Sequence, residues 1–428
     1  MWKEKDLLKG FSFQEKWFVL FSMCTCFLIA LEYAITRPAS GSIFLTIFSS
    51  HAIPWVWLIS VPFNLACVYL YNRYLPKLGP VGMLGVIATA ISLIHLFCGF
   101  ALHQFPGLIF FQFIWKDIYI LLMFKQLWSM IHSTIDSKRA KYLYGLIFSM
   151  GTIGSIVGSL IPGFCAVGLG SEKIFFASLP IYFLLYLSYR AAFHRSALTQ
   201  SSFTKGLQEE VDAKGSFSLI AKSPFLITIL IVVVFMQISI GLMDYLFNAH
   251  LELQVLDLDL RTEYVGKIVG LTNLCSGLLQ LVGGFVLVHF LGVRGSHLFV
   301  PFLLLCNAFT AWLIPSFGVI SLSYIVIKSV DFSLFAMIRE MLYIPMRLDE
   351  KFRAKAIIDV FAYRSAKAII AVCILLLQFF LGKELLEFVS VSAMTIFLCW
   401  IISVYFLLRK KSPKQEVLEK APSYNEVN

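Results

Sequence analysis

Charge is scarce in these 428 residues: 14% are Asp, Glu, Lys or Arg, against 59% hydrophobic residues and a mean hydropathy of +0.82. Soluble domains carry roughly 25% charged and 45–50% apolar residues, so an ordinary globular enzyme is excluded. Cysteine is sparse and unpatterned. All nine (Cys24, Cys26, Cys67, Cys98, Cys165, Cys275, Cys306, Cys373 and Cys399) fall inside apolar runs, so neither a disulfide framework nor a metal site is implied. Cys24 and Cys26 would sit about 200° apart on a helix, too far round to share an ion. The eight His are scattered, without ligand spacing. There is no G-x-x-x-x-G-K-[ST] loop, no H-E-x-x-H and no serine elbow, which removes ATP-driven pumps, zinc hydrolases and serine hydrolases. The chain is expected to be no enzyme and to need no cofactor. The first residues, Met-Trp-Lys-Glu-Lys-Asp, hold acids and precede no small-residue cleavage site. They read as neither a secretory signal nor a transit peptide, so a plastid home is disfavoured.

What the sequence has is long apolar runs. A helix needs about 20 such residues to cross the hydrocarbon core. That ruler marks twelve spans, at 17–35, 54–71, 81–102, 106–131, 142–169, 173–193, 224–248, 264–290, 296–314, 316–337, 356–381 and 386–408. The expected fold is an all-α polytopic membrane protein with about twelve transmembrane helices. A polar stretch divides it into a six-helix half at 1–193, a linker at 194–223 and a second half at 224–408, with a charged tail at 409–428. The linker, around Gln208–Gly215, reads as solvated. Six plus six is the layout of a major-facilitator transporter, in which two halves rock about a site near the midplane.

The formal net charge of +10 would suggest nucleic acid in a soluble protein, but here it serves membrane orientation. Most Lys and Arg fall in segments on one face, among them Arg73, Lys77, Lys138, Arg139, Arg294, Arg353, Arg409 and Lys410. The other face holds Lys173, Arg261 and Lys383. By the positive-inside rule both termini are cytoplasmic. No nucleic-acid partner is expected. The lipid bilayer is.

A smaller set of charges lies within the spans or at their edges. The cations are Arg37, Lys116, Lys125, Lys267, Lys328, Arg364 and Lys367, and the acids are Glu32, Asp117, Asp244, Asp331 and Asp359. Each costs about 2.5–3.5 kcal/mol or more at a helix centre, so such groups face a wet cavity or a partner. Snorkelling or internal ion pairing serves equally well for Glu32, Lys125, Lys267, Asp359 and Lys367. Six of the others form a pattern: Arg37 on the first span, Lys116 and Asp117 on the fourth, Asp244 on the seventh, Lys328 and Asp331 on the tenth. In a facilitator layout those four helices line the central cavity. Cations outnumber acids, which favours a small anionic substrate. Lys328 and Asp331 are three residues apart and could pair. Asp244 is either a proton-coupling acid or a counter-ion. Gly151, Gly154 and Gly158, with Gly266, Gly270, Gly277, Gly283 and Gly284, have the spacing of close helix contacts.

Several stretches resemble a known family. Arg339–Pro345 reads R-E-M-L-Y-I-P, followed by K-A-I-I-D-V from Lys355 and R-S-A-K from Arg364. These are similar to K-E-M-A-Y-I-P, K-G-K-A-A-[IV]-D-V and R-L-G-K of the non-mitochondrial ATP/ADP translocases of chlamydiae, rickettsiae and plastids. The run K-S-V-D-F-S-L-F from Lys328 resembles K-x-x-K-Y-S-L-F, and A-K-Y-L-Y from Ala140 resembles A-K-R-F-Y. Ile238–Asp244 resembles I-S-I-N-L-V-E, and Tyr33–Thr46 aligns without gaps on Y-T-I-L-R-D-T-K-D-T-L-V-V-T. The departures are specific. The family's first-helix lysine falls on Ser40, its fourth-helix glutamate on Lys116, and its seventh-helix glutamate on Asp244. Lys355 keeps the eleventh-helix lysine, and Arg364 and Lys367 also match. At 428 residues the chain looks shorter than typical members.

The resemblance implies a divergent nucleotide carrier, with ATP or ADP binding by exchange or proton symport. Arg37, Lys116, Lys328, Lys355, Arg364 and Lys367 would bind substrate phosphate or carboxylate. Asp244, Asp117 and Asp331 would couple or gate. Phe247, Tyr324, Phe332 and Tyr363 could stack on a base. The alternatives are a proton-coupled carrier of another small organic anion, and a receptor or scaffold that does not transport. The expected home is a bacterial inner membrane. The oligomeric state is open; facilitator-type carriers commonly work as monomers.

Overall fold

The computed structural model describes residues 12–135, 137–196, 223–342, 358 and 363–409. The linker at 194–223 and the tail at 409–428 lie almost wholly outside them. Regular structure among the described residues is helical: α1 (Phe13–Phe48), α2 (Ile53–Ala101), α3 (Gly107–Thr134), α4 (Ser137–Leu169), α5 (Ile174–Arg195), α6 (Pro224–Gln254), α7 (Leu258–Leu278), α8 (Gly284–Leu313), α9 (Phe317–Val330), α10 (Ala336–Leu342), α11 (Tyr363–Leu381) and α12 (Leu385–Arg409). A π-helical turn joins α7 to α8 at Leu279–Gly283, and another joins α9 to α10 at Asp331–Phe335.

Helix labels and membrane crossings do not coincide, and glycine explains why. Ile53–Ala101 runs 49 residues, twice what a bilayer needs. It breaks at Gly79, where φ is 69° and ψ 168°, between Pro76 and Pro80. Gly292 breaks α8 in the same way, with φ 66° and ψ 175°. An L side chain is strained at such φ, so both turns need glycine. Among the described residues, ten helical stretches are long and apolar enough to cross a membrane. One of them, Ser50–Ala101, is long enough for two crossings through Gly79, and with the shorter apolar helix Ser365–Leu381 the described residues offer twelve. The first span starts sharply: the Glu15 amide donates to Ser12 Oγ and the Ser12 amide to Glu15 Oε2, a reciprocal cap that satisfies two free N–H groups.

The helices cluster into two units. Unit 1 holds Met1–Ser49, Ile59–Val211 and Val255–Leu274. Its centre is α1, which packs against α3, α4 and α5. Gly154 and Gly158 of α4 lie against the carbonyls of Phe27 and Leu31, so close that an added Cβ would overlap them. Gly151 meets Cys26. Ile35, Ala39, Ala166, Ile174 and Ile181 form a core beside this contact. The beginning of α7 belongs to this unit. Gly266 approaches Gly163 backbone to backbone, and Arg261 donates to Val255 O (2.8 Å) and Thr46 Oγ1 (2.9 Å). The Ser171 amide and hydroxyl both donate to Asp259 Oδ1, at 2.7 and 2.6 Å.

Unit 2 holds Ser50–Leu58, Asp212–Gln254 and Cys275–Asn428. Here α6 is central, against α9, α11 and α12. Trp400 of α12 is buried against Phe335 and Phe397. The two π turns meet. Each widened turn disturbs the regular backbone ladder, and side chains answer: Ser276 Oγ donates to Ser329 O (3.3 Å) and Gln280 Nε2 to Phe332 O (3.0 Å).

Candidate functional site

In unit 1 the first and fourth spans bring three of the expected residues near one another. Arg37 of α1 is half-buried, its guanidinium 5.8 Å from the centre of the Tyr33 ring one turn earlier. The Tyr33 hydroxyl donates to Asp117 Oδ1 of α3 at 3.0 Å. Lys116 is 6% exposed, with Nζ 3.4 Å from the centre of the Phe113 ring. Phe113 in turn stacks on Phe44 at 4.3 Å. A ring face is a weak partner for an ammonium compared with an oxyanion. An anion reaching Lys116 would therefore gain a stronger interaction than the ring supplies. Ser40, at the position of the family's lysine, is buried and donates to Gln112 Oε1 at 2.5 Å. Its place on α1 is thus committed to a neutral contact.

Unit 2 holds the second cluster. Lys328 Nζ of α9 lies 2.6 Å from Asp244 Oδ2 of α6, with the lysine side chain 9% exposed and the aspartate 25%. Phe247 and Tyr324, on the same two helices, stack at 4.1 Å with planes 16° apart. Lys328 Nζ is 5.8 Å from the Tyr324 ring centre. One charged pair and one aromatic pair thus sit side by side. Asp331 opens the second π turn, three residues past Lys328. In the following turn Arg339 lies over the Phe335 ring at 5.7 Å.

Of the remaining candidates, Lys367 is half-buried on α11. Lys355, with the stretch around Asp359, lies outside the described residues. Arg364 and Tyr363 belong to the first turn of α11, and their side chains are likewise outside the description. Phe332 is exposed at the π turn. Lys267 pairs at 2.6 Å with Glu263 one turn back and is exposed, which accounts for it structurally. Tyr33 and Phe113 were not legible as site residues. Their only sequence signal is an aromatic four or three residues before a cation, a spacing that ordinary packing produces just as often.

Comparison with known proteins adds to this geometry. A family model described as TLC ATP/ADP transporter matches residues 108–321 and 308–411. ADP,ATP carrier protein 1 of Chlamydia pneumoniae is 24% identical over 388 residues, covering 80% of this chain and 73% of the relative. Its namesake from Chlamydia trachomatis is 23% identical over 360 residues, covering 72% and 66%. Among solved structures, the nucleoside transporter NupG superposes with a TM-score of 0.60 at 11% identity, covering 92% of this chain and 100% of that one. A POT family transporter in complex with 5-aminolevulinic acid gives 0.62 at 12% identity, covering 90% and 96%. The all-α fold is therefore that of major-facilitator-like carriers, and the matched relatives are transporters rather than enzymes.

Proposed function

The chain belongs to the TLC ATP/ADP transporter family, and on that premise we propose that it carries a nucleotide or closely related phosphorylated anion across a membrane by alternating access. The observation that carries this reading is the Lys328–Asp244 pair beside the stacked Phe247 and Tyr324. A cation held by an internal carboxylate is ready for exchange of partners: an arriving phosphate oxygen takes the place of Asp244. The pair then serves as a gate, closed without substrate and opened by it. The aromatic faces beside it suit a base. Arg37 and Lys116 provide a second cationic position in unit 1, next to Asp117. Lys355, Arg364 and Lys367 stand as further phosphate contacts, and Asp331 as a second gating acid. The home is a bacterial inner membrane with both termini cytoplasmic.

A second reading draws on one departure. The family pattern puts a lysine where Ser40 stands and a glutamate where Lys116 stands, so the cation has moved from α1 to α3. Moved charge changes which anion fits, and a proton-coupled carrier of another small organic anion follows from it.

Radiolabelled uptake into cells expressing the chain, with a panel of nucleotides and with or without a protonophore, separates these. Uptake of one nucleotide, reduced by an unlabelled excess of the same compound, is expected. No uptake of any nucleotide by protein shown to reach the membrane would overturn the first reading in favour of the second.

A further inference from the structure

Glu32, on α1 and one turn before Arg37, is fully buried. Its Oε1 accepts hydrogen bonds from Tyr182 of α5 at 2.5 Å, Tyr119 of α3 at 3.0 Å and Thr36 at 3.1 Å. Its Oε2 is buried with no hydrogen-bond partner among the described residues, and no Lys or Arg pairs with the carboxyl there. The contact extends through a chain of buried groups whose direction is fixed by chemistry. Ser40 Oγ donates to the carbonyl oxygen Gln112 Oε1, so it is the amide nitrogen of Gln112 that faces His95 Nε2, at 3.2 Å. An amide nitrogen only donates, which leaves Nε2 as acceptor and the proton on Nδ1 of a neutral ring. Nδ1 then donates to the Tyr182 hydroxyl at 3.1 Å and to Ser178 Oγ at 2.9 Å. The Tyr182 hydroxyl in turn donates its hydrogen bond to Glu32 Oε1. Every bond in the row from Ser40 to Glu32 points the same way, and all of it lies within unit 1.

Among the described residues, the groups that Glu32 contacts carry no compensating charge. From α3 Glu32 faces Tyr119, from α5 Tyr182, and from α2, through Tyr182, His95. The face of α4 packed on α1 presents Gly151, Gly154 and Gly158. The nearby charges are otherwise placed: Arg37 over Tyr33, Lys116 over Phe113, and Asp117 under the Tyr33 hydroxyl. An ionised carboxyl buried without a cation is costly and relieves that cost by taking a proton. The open valence for it is the unpartnered Oε2.

We propose that Glu32 is a proton-binding site of unit 1, loaded and unloaded once per transport cycle, with Tyr182 and His95 positioning the carboxyl. This inference rests on the reading of the chain as a carrier and deepens it by naming the coupling ion. The step is a simple protonation: Oε2 of the carboxylate takes a proton from water on one membrane face, forming an O–H bond. The bond breaks to release the proton to water on the other face. The proton gradient is the driving force, and nothing is oxidised or reduced.

Two measurements on the full chain test it. In infrared difference spectra at neutral pH, the wild type shows a protonated-carboxyl C=O band that Glu32→Gln lacks. In proteoliposomes, Glu32→Gln, a mimic of the loaded form, keeps nucleotide counterflow while pH-gradient-driven accumulation falls by at least an order of magnitude. Absence of the band from the wild type, or accumulation retained in Glu32→Gln, overturns the proposal. Should Glu32→Gln not reach the membrane, Tyr182→Phe replaces it. Loss of the shortest donor must then shift the Glu32 band, and an unmoved band overturns the assignment. If no nucleotide moves in any variant, the substrate reading fails, while the infrared band still decides the proton site.

Discussion

Asp244 and Lys328 are 84 residues apart in sequence and meet at 2.6 Å. What an anion gains at Lys328 is the difference between its own contact and the one Asp244 already makes, and that difference decides the effect of each substitution. Lys328→Gln removes the cation. Nucleotide affinity is expected to fall by about 1.5–3 kcal/mol, the usual worth of a hydrogen bond to a charged group. Asp244→Asn removes the competitor instead, so binding is expected to tighten and transport to slow, as the proposed gate loses the contact that closes it. Calorimetric titration of the detergent-solubilised variants reads the first effect and counterflow reads the second. The double variant must bind differently from the sum of the singles, since the two residues act through one contact. Equal affinities for the wild type and Lys328→Gln would reduce the pair to a structural bridge.

The helices themselves were largely legible. Span hydrophobicity is summed over about 20 residues, so a few polar substitutions do not hide it, and each expected span overlaps a helix among the described residues. Partnerships were not legible. Glu32 was readable as a charge in a span, but its donors lie 87 and 150 residues away, and sequence spacing carries no trace of a helix neighbour at that distance. For Lys328 the sequence offers Asp331, three residues on, whereas the acid on α6 is found only by packing. The π turns were equally hidden, because Asp331–Phe335 has no glycine or proline to mark it. The glycine spacing on α4, in contrast, was read correctly as a packing face. Its stringency gives a prediction for the element. Gly154→Leu drives a side chain into the Phe27 carbonyl and should destabilise by about 1–3 kcal/mol, as overpacking does. Gly145, with nothing within 4 Å, tolerates Ala and gains up to ~1 kcal/mol of helix propensity. Thermal unfolding in one detergent compares them; equal midpoints would mean that α1 and α4 can separate without cost.

At the scale of the molecule, two glycine turns far apart in sequence share one backbone conformation. Gly79 and Gly292 end the second and eighth spans with nearly the same dihedrals, φ 69° and 66°, ψ 168° and 175°. Counted from the seventh span, the eighth is the second of its half, so each half turns at the equivalent place. Each turn is also flanked by cations: Arg73 and Lys77 at the first, Arg294 at the second. In the proposed layout of six plus six spans, equivalent turns are expected on the same side of the membrane. By the positive-inside rule that side is expected to be cytoplasmic. With an even number of spans both termini are then expected on that side as well. Reporter fusions check the chain of reasoning. Green fluorescent protein after Asn428 should fluoresce, and alkaline phosphatase at the same point should be inactive. Phosphatase inserted at Gly170, in the short connection between α4 and α5, should be active. The reverse pattern would invert the carrier, and with it the face from which Glu32 takes up its proton.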